Sequence, residues 1–68
     1  MTKTTLKQIK KGEMFTIKPL EYPKETQVYI KEEYIPGKKK WGCVKWWDAL
    51  GDWRILKPSQ VVYVDFIF

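Results

Sequence analysis

The 68-residue chain contains no histidine and a single cysteine. Without histidine it cannot assemble a Ser-His-Asp relay, a Cys-His relay or a histidine-ligated metal site. Its one thiol, on Cys43, cannot close an internal disulfide, and one thiolate alone does not build a zinc or iron-sulfur site. We therefore predict that the protein is not an enzyme, needs no cofactor or metal, and folds by packing alone.

Long apolar runs are missing as well. No stretch approaches the about 18 apolar residues that cross a bilayer, and residues 1–5 are too polar to begin a secretory signal. An unpaired thiol also suits a reducing compartment better than a secreted one. These absences predict a cytoplasmic protein with no membrane contact.

What is present is a small, aromatic-rich, basic domain. Hydrophobic residues make up 44% and aromatic residues 16% of the chain, and the length allows one core, so we expect residues 1–68 to form one domain. The net charge is +5, but residues 1–20 and 36–47 each carry +4, residues 21–35 carry −2 and residues 48–68 carry −1. This mosaic is weaker than the uniformly basic surface of a dedicated polyanion binder.

Five segments have the alternating, β-branched and aromatic pattern of strands, and turn-forming residues separate them. They cover residues 13–18, 27–35, 41–47, 53–56 and 61–68. Before the first, Leu6 and Ile9 are spaced for one helical or 3-10 turn that ends at Gly12. Residues 48–52 contain a reversal, and residues 57–60 predict a 3-10 turn before the last strand.

This order predicts an all-β fold. Five short strands suit a small closed barrel, because closure removes the edges that the apolar last strand would otherwise expose. The succession of a long loop, a central hairpin, a short fourth strand and a turn before the last strand resembles an SH3-like barrel. An oligonucleotide-binding barrel is the alternative, although it usually needs a longer chain.

Core and turn positions along the chain form a second pattern. They read Leu6-x-x-Ile9-Lys10-Lys11-Gly12-Glu13-x-Phe15, then Val28-Tyr29-Ile30, Tyr34 and Cys43, then Val62-Tyr63-Val64-Asp65-Phe66. In these positions the chain resembles very small, uncharacterised proteins of bacterial phages and mobile elements. The resemblance brings no catalytic motif and implies an accessory protein of a phage or mobile element.

Lysines and tryptophans are concentrated around the predicted central hairpin. The candidate binding residues are Lys38, Lys39, Lys40, Trp41, Lys45, Trp47 and Trp53. Lysines at a hairpin tip beside flat rings suit single-stranded nucleic acid, since lysines meet phosphates and rings stack on bases. Solvated turn lysines and core tryptophans are the simpler interpretation.

Strand parity predicts which of these side chains face water. Residues 41, 43, 45 and 47 share one face of the third strand, and residues 42, 44 and 46 share the other. Burying an unpaired ammonium is costly, so we expect Lys45 to point to water together with Trp41 and Trp47. Val44 and Trp46 then point inward.

The last strand is apolar on both faces. Residues 62, 64, 66 and 68 fill one side, and residues 61, 63 and 67 lie on the other. A single barrel buries only one side. We therefore expect the surplus either to pair with a second subunit, giving a homodimer, or to pack beneath the N-terminal turn at Leu6 and Ile9.

Three functions are compatible with these features. The first is a protein-interaction module that docks on a partner protein through exposed Trp41, Trp47 and Trp53. The second is a nucleic-acid-binding module that uses the lysines at 38–40 and 45 with the first two of those indoles. The third is a structural or assembly component. The acidic second strand would repel a wrapped polyanion, so the sequence slightly favours a partner protein.

Overall fold

The computed structural model describes residues 1–46 and 53–67, together with the backbone of residues 48–52. These residues form strands and two short 3-10 helices, Leu6–Gln8 and Glu25–Gln27. The strands are β1 (Thr2–Thr5), β2 (Met14–Phe15), β3 (Tyr29–Ile35), β4 (Lys40–Lys45), β5 (Asp48–Leu56) and β6 (Val61–Val64). The predicted all-β class is confirmed, and the expected N-terminal turn is the first 3-10 helix.

The strands form two antiparallel sheets. β1 pairs with β6, from Thr2 opposite Val64 to Thr5 opposite Val61. The larger sheet has the order β2-β3-β4-β5. Thr16, which follows β2, and Tyr63 of β6 each donate a backbone hydrogen bond to the other, at 3.0 and 2.9 Å. β6 therefore has a neighbour on each edge, while β1 and β5 lie at the outside.

The six strands do not close into a single barrel. Within the described residues, β5 has a ladder with β4 and none with β1. Loop contacts instead join the first 3-10 helix to the turn between β5 and β6. The Leu6 N–H donates to the Gln60 carbonyl at 2.9 Å, and the Lys7 N–H donates to the Pro58 carbonyl at 3.0 Å. The SH3-like five-stranded barrel therefore stays a prediction.

Apolar side chains from both sheets and from the first 3-10 helix meet in one core. The core cluster consists of Leu6, Ile9, Phe15, Tyr29, Cys43 and Val62. The rings of Phe15 and Tyr29 stack within it, with centroids 5.8 Å apart and planes at 24°. Ile17, Trp41, Leu56 and Val64 pack against its margin.

Of the two expected arrangements, packing beneath the N-terminal turn is seen for one face of the last strand only, since Val61 on the other face is 38% exposed and Ile67, beyond β6, is 58% exposed. Leu6 and Val62 are fully buried in the same cluster, and Ile9 is nearly so. The other arrangement, a homodimer through this strand, finds no support, because β6 already has β1 on one edge and Thr16 on the other.

The register of the larger sheet assigns its side chains to two faces, because residues directly opposite each other point the same way. One face carries Phe15 opposite Tyr29 and Cys43 opposite Arg54, and this is the core face. The other is the outer face. Its rows across the strands contain Met14, Ile30, Val44 and Trp53, then Glu33, Gly42 and Ile55.

Most of the expected turns are present, and one lies elsewhere. Residues 36–39 connect β3 to β4 as the predicted hairpin turn. Before β6, the Gln60 N–H donates to the Lys57 carbonyl at 3.0 Å, which is the hydrogen bond of the predicted single turn. The reversal expected within 48–52 lies earlier, because Lys45 pairs with Asp48. Within the part of the chain that the structure describes, no helix has the length and apolar character that crossing a membrane requires.

Candidate functional site

The lysine triplet occupies the hairpin turn and the start of the next strand. Lys38 and Lys39 are exposed in the turn, and Lys40 is half-buried as the first residue of β4. Lys39 has a φ of 52°, in the left-handed region, and this lets the chain double back after Pro36 and Gly37. The predicted hairpin tip is confirmed, while its role in binding stays a prediction.

Trp41 faces the core, against the expected orientation of β4, although Val44, expected inside, is buried on the other face of the strand. Its ring packs against the core cluster beside Cys43, which is fully buried. The ring centroid lies 3.9 Å from Nζ of Lys31 and 5.3 Å from the ring centroid of Tyr34. The prediction failed because Lys45 ends β4 and is only half-buried there, so turning its face inward does not isolate its charge.

The candidate tryptophans do not form one outward cluster. Trp46, expected inside, is 41% exposed, and its backbone N–H donates to the Val28 carbonyl at 2.9 Å. Trp47 lies outside the described residues. Trp53 is 51% exposed, as expected, but it belongs to the outer face whereas Trp41 belongs to the core face. The sheet itself therefore separates these two indoles.

The ring of Trp53 rests on Gly42 of the neighbouring strand. A Cβ built on Gly42 would lie 2.9 Å from both Cε3 and Cζ3 of the ring, closer than real Cβ contacts come. Glycine is thus required for the indole to lie this near to β4. The contact holds the ring against the outer face while half of its surface stays open to solvent.

Beside this indole, β5 has an open backbone edge. Trp53, Arg54 and Ile55 are all exposed, and the ladder to β4 is the only one that β5 has in the described residues. In an antiparallel strand alternate residues direct N–H and C=O away from the neighbouring strand. The lysine and proline that commonly block such edges come only after the strand, at Lys57 and Pro58. We call residues 53–56 the β5 edge.

Positive charge lies within the β5 edge and at its C-terminal end, whereas Asp52 precedes it in the sequence. Arg54 lies within it and Lys57 directly follows it. Trp41 pairs with the last residue of β5, which brings Lys40 and the hairpin tip to the same end. In the described rows of the outer face, Glu33 is the one acidic side chain. An acidic partner would meet more attraction than repulsion here.

A buried lysine is the feature that sequence reasoning did not single out. Lys31 is 2% exposed, and its Nζ donates to the Leu6 carbonyl at 2.8 Å and to the Ile9 carbonyl at 2.6 Å. The Trp41 ring covers the ammonium from another side. Strand parity offered the signal, since Lys31 shares a strand face with Tyr29 of the core cluster.

Burial perturbs both ionisable groups of the core face. It lowers the pKa of the Lys31 ammonium, and the nearby Cys43 and Glu13 charges oppose that change. It raises the pKa of the Cys43 thiol to about 11, against the opposing charge of Lys31. The thiol therefore stays protonated near neutral pH, and a protonated thiol is a poor nucleophile.

Within the described residues, no three histidine, cysteine, aspartate or glutamate side chains gather closely enough to hold a metal ion. No protein-family model matches the sequence, and neither a curated protein nor a solved structure matches it.

Proposed function

We propose that this protein is a non-enzymatic interaction module that binds an extended, acidic segment of a partner protein along the β5 edge. The backbone of that segment adds a strand next to β5, as in other cases of recognition by strand addition. The observation that carries the proposal is an open strand edge flanked by exposed Trp53 and Ile55.

The outer face supplies the apolar part of the contact. Trp53 is 51% and Ile55 is 42% exposed, and alternation places both on this face of β5. Every second side chain of an added strand would point to the same face and cover them. Tryptophan is enriched among the few residues that dominate interface energies, so Trp53 is the expected anchor.

The surrounding charge selects the chemistry of the partner. Arg54, Lys57 and Lys40 lie in or beside the β5 edge, and Lys38 and Lys39 extend the positive region to the hairpin tip. Opposite charges steer encounter and suppress wrong partners. We therefore assign an acidic segment that alternates carboxylates with apolar residues.

The finer fold assignment and the biological setting belong to the same proposal. Through the contact of Thr16 with Tyr63, the strands follow the order β6-β2-β3-β4-β5, which resembles an SH3-like barrel with β1 added outside β6. On the resemblance of its core and turn positions, we propose an accessory protein of a phage or mobile element that acts in the cytoplasm.

Single-stranded nucleic acid is the less favoured partner. A stacking site needs free ring faces beside its cations. The ring of Trp41, the indole next to the lysine triplet, is instead packed against Lys31 and the core cluster. Tyr34, which is 42% exposed, is the remaining described aromatic side chain at that end of the hairpin.

A labelled synthetic peptide tests the proposal. The probe is fluorescein-Ser-Val-Glu-Val-Glu-Val-Ser, and its binding is followed by fluorescence anisotropy. We expect saturable binding that Trp53→Ala weakens at least about tenfold, because a hot-spot residue is lost. Tyr22→Ala is the matched control, since Tyr22 is 71% exposed in the loop before β3 and should leave the affinity unchanged.

Three further results would each overturn the proposal. One is equal binding of a peptide with prolines at the central positions, which lack the N–H groups for strand addition. Another is binding of a single-stranded oligonucleotide with steep salt dependence while the peptide does not bind. The third is self-association of the protein through β5 that leaves no site for the peptide.

A further inference from the structure

A cavity of about 250 Å³ lies beneath the loop that connects β2 to β3, on the core side of the larger sheet. Its lining residues are Ile17, Lys18, Leu20, Thr26, Gln27, Tyr29 and Arg54. None of these residues was a candidate binding residue from the sequence, because they come together from the loop, β3 and the far strand β5.

The apolar part of the lining is anchored in the core. Tyr29 is 8% exposed, and its ring stacks on Phe15, which is fully buried. Ile17 packs against the same core cluster, and Leu20 is half-buried in the loop. A ligand would therefore meet a fixed apolar floor with an aromatic ring in it.

The polar part of the lining is cationic. The Arg54 guanidinium lies 5.8 Å from the centroid of the Tyr29 ring, and Lys18 lines the cavity from the loop. Among the side chains that the structure describes, no acidic one lines the cavity and neither cation has a carboxylate partner. An arginine placed over a ring keeps its in-plane N–H groups available to an oxyanion.

From this arrangement we infer a second binding site, for a small ligand that joins an oxyanion to a short apolar body. Arg54 and Lys18 bind the carboxylate or phosphate, Thr26 and Gln27 offer uncharged hydrogen bonds, and the apolar body lies on Tyr29. The volume is below the about 300 to 1,000 Å³ of pockets that hold drug-sized ligands, so the body is a single ring or a short chain.

This site shares Arg54 with the β5 edge but lies on the side of the strand away from the Trp53 ring. Arg54 lies opposite Cys43 on the core face, whereas Trp53 lies opposite Val44 on the outer face. The two surfaces share the strand but present opposite sides of it. A substitution of Trp53 should therefore leave the cavity ligand unaffected, so this variant distinguishes the two proposals although both use Arg54.

The probes are benzoate, phenyl phosphate and the neutral isostere benzamide, titrated against the whole chain at constant ionic strength while amide shifts are recorded by NMR. We expect the two anions to shift the amides of the cavity lining and to bind at least about tenfold more tightly than benzamide. The tighter of the two anions shows whether a carboxylate or a phosphate is the natural group.

Charge-removing variants complete the test. Arg54→Gln and Lys18→Gln should each lower the affinity for the tighter anion about tenfold, while Lys3→Gln, an exposed lysine on β1, should leave it unchanged. Unfolding curves of the variants verify that each is folded. Equal affinity for benzamide and benzoate, or equal losses in all three variants, would overturn the inference.

Discussion

Replacing the buried lysine probes what holds the N-terminal turn to the sheet. In the Lys31→Met variant the side chain keeps a similar length but loses the ammonium that donates to the Leu6 and Ile9 carbonyls at 2.8 and 2.6 Å. The two carbonyls are then left without this donor, and the Trp41 ring loses a cation 3.9 Å from its centroid.

The magnitude follows from these contacts. Each carbonyl left unsatisfied costs about 1–3 kcal/mol, and a desolvated cation–π contact is worth about 2 kcal/mol. The variant also no longer has to desolvate an ammonium group, and this gain of a few kcal/mol offsets part of the loss in unfolding free energy. We therefore expect the free energy of unfolding to fall by about 2–4 kcal/mol, a large part of the total for a domain of this size.

Urea unfolding followed by tryptophan fluorescence measures this loss. In thermal unfolding, at about 4–8 °C per kcal/mol, the expected change lowers the melting temperature by roughly 8–32 °C. Lys11→Met is the matched control, because Lys11 is exposed and the variant loses the same charge. A loss for Lys31→Met no larger than that of the control would refute the view that the ammonium fastens the turn.

Two further predictions concern Gly42 and Cys43 of β4. Gly42→Ala should displace the Trp53 ring, change its fluorescence and weaken peptide binding several-fold, whereas Gly37→Ala, with no atom within 4 Å of the added Cβ, should do neither. The raised pKa of Cys43, about 11, predicts that unfolding free energy falls as pH rises from about 9 to 11, because the unfolded thiol ionises first. In Cys43→Ala the unfolding free energy should fall less steeply, by up to about 2 kcal/mol between about pH 9 and 11. The lowered pKa of Lys31 acts in the opposite direction in both proteins, so it does not affect the comparison. Equal slopes for the two proteins in urea unfolding across this pH range would contradict the raised pKa of Cys43.

The local pattern of the sequence predicted the strands well where alternation and turn residues agree. β3, its hairpin and β4 lie within two residues of the expected bounds, because proline followed by glycine is a strong turn signal at residues 36–37. β1 was missed because Thr2–Thr5 contains no apolar residue, and only its pairing with β6 makes it a strand.

The candidate site was harder to predict because it depends on which face of each strand turns inward. Burying the charge of Lys45 was assumed to be too costly, and this assumption led to the wrong orientation of Trp41 on β4. The structure instead buries Lys31, where two backbone carbonyls and the Trp41 ring compensate its charge. Such compensation comes from residues far apart in the chain, so no local pattern reveals it.

Strand addition at the β5 edge is tested most directly by amide hydrogen exchange with and without the Val-Glu peptide. If the peptide adds as a strand next to β5, exchange becomes slower and the amide signals shift at residues 53–56, with no change at β1, the other outside strand. Binding that leaves the amides of residues 53–56 unchanged, or that protects β1 or the lysine hairpin instead, would contradict strand addition at this edge.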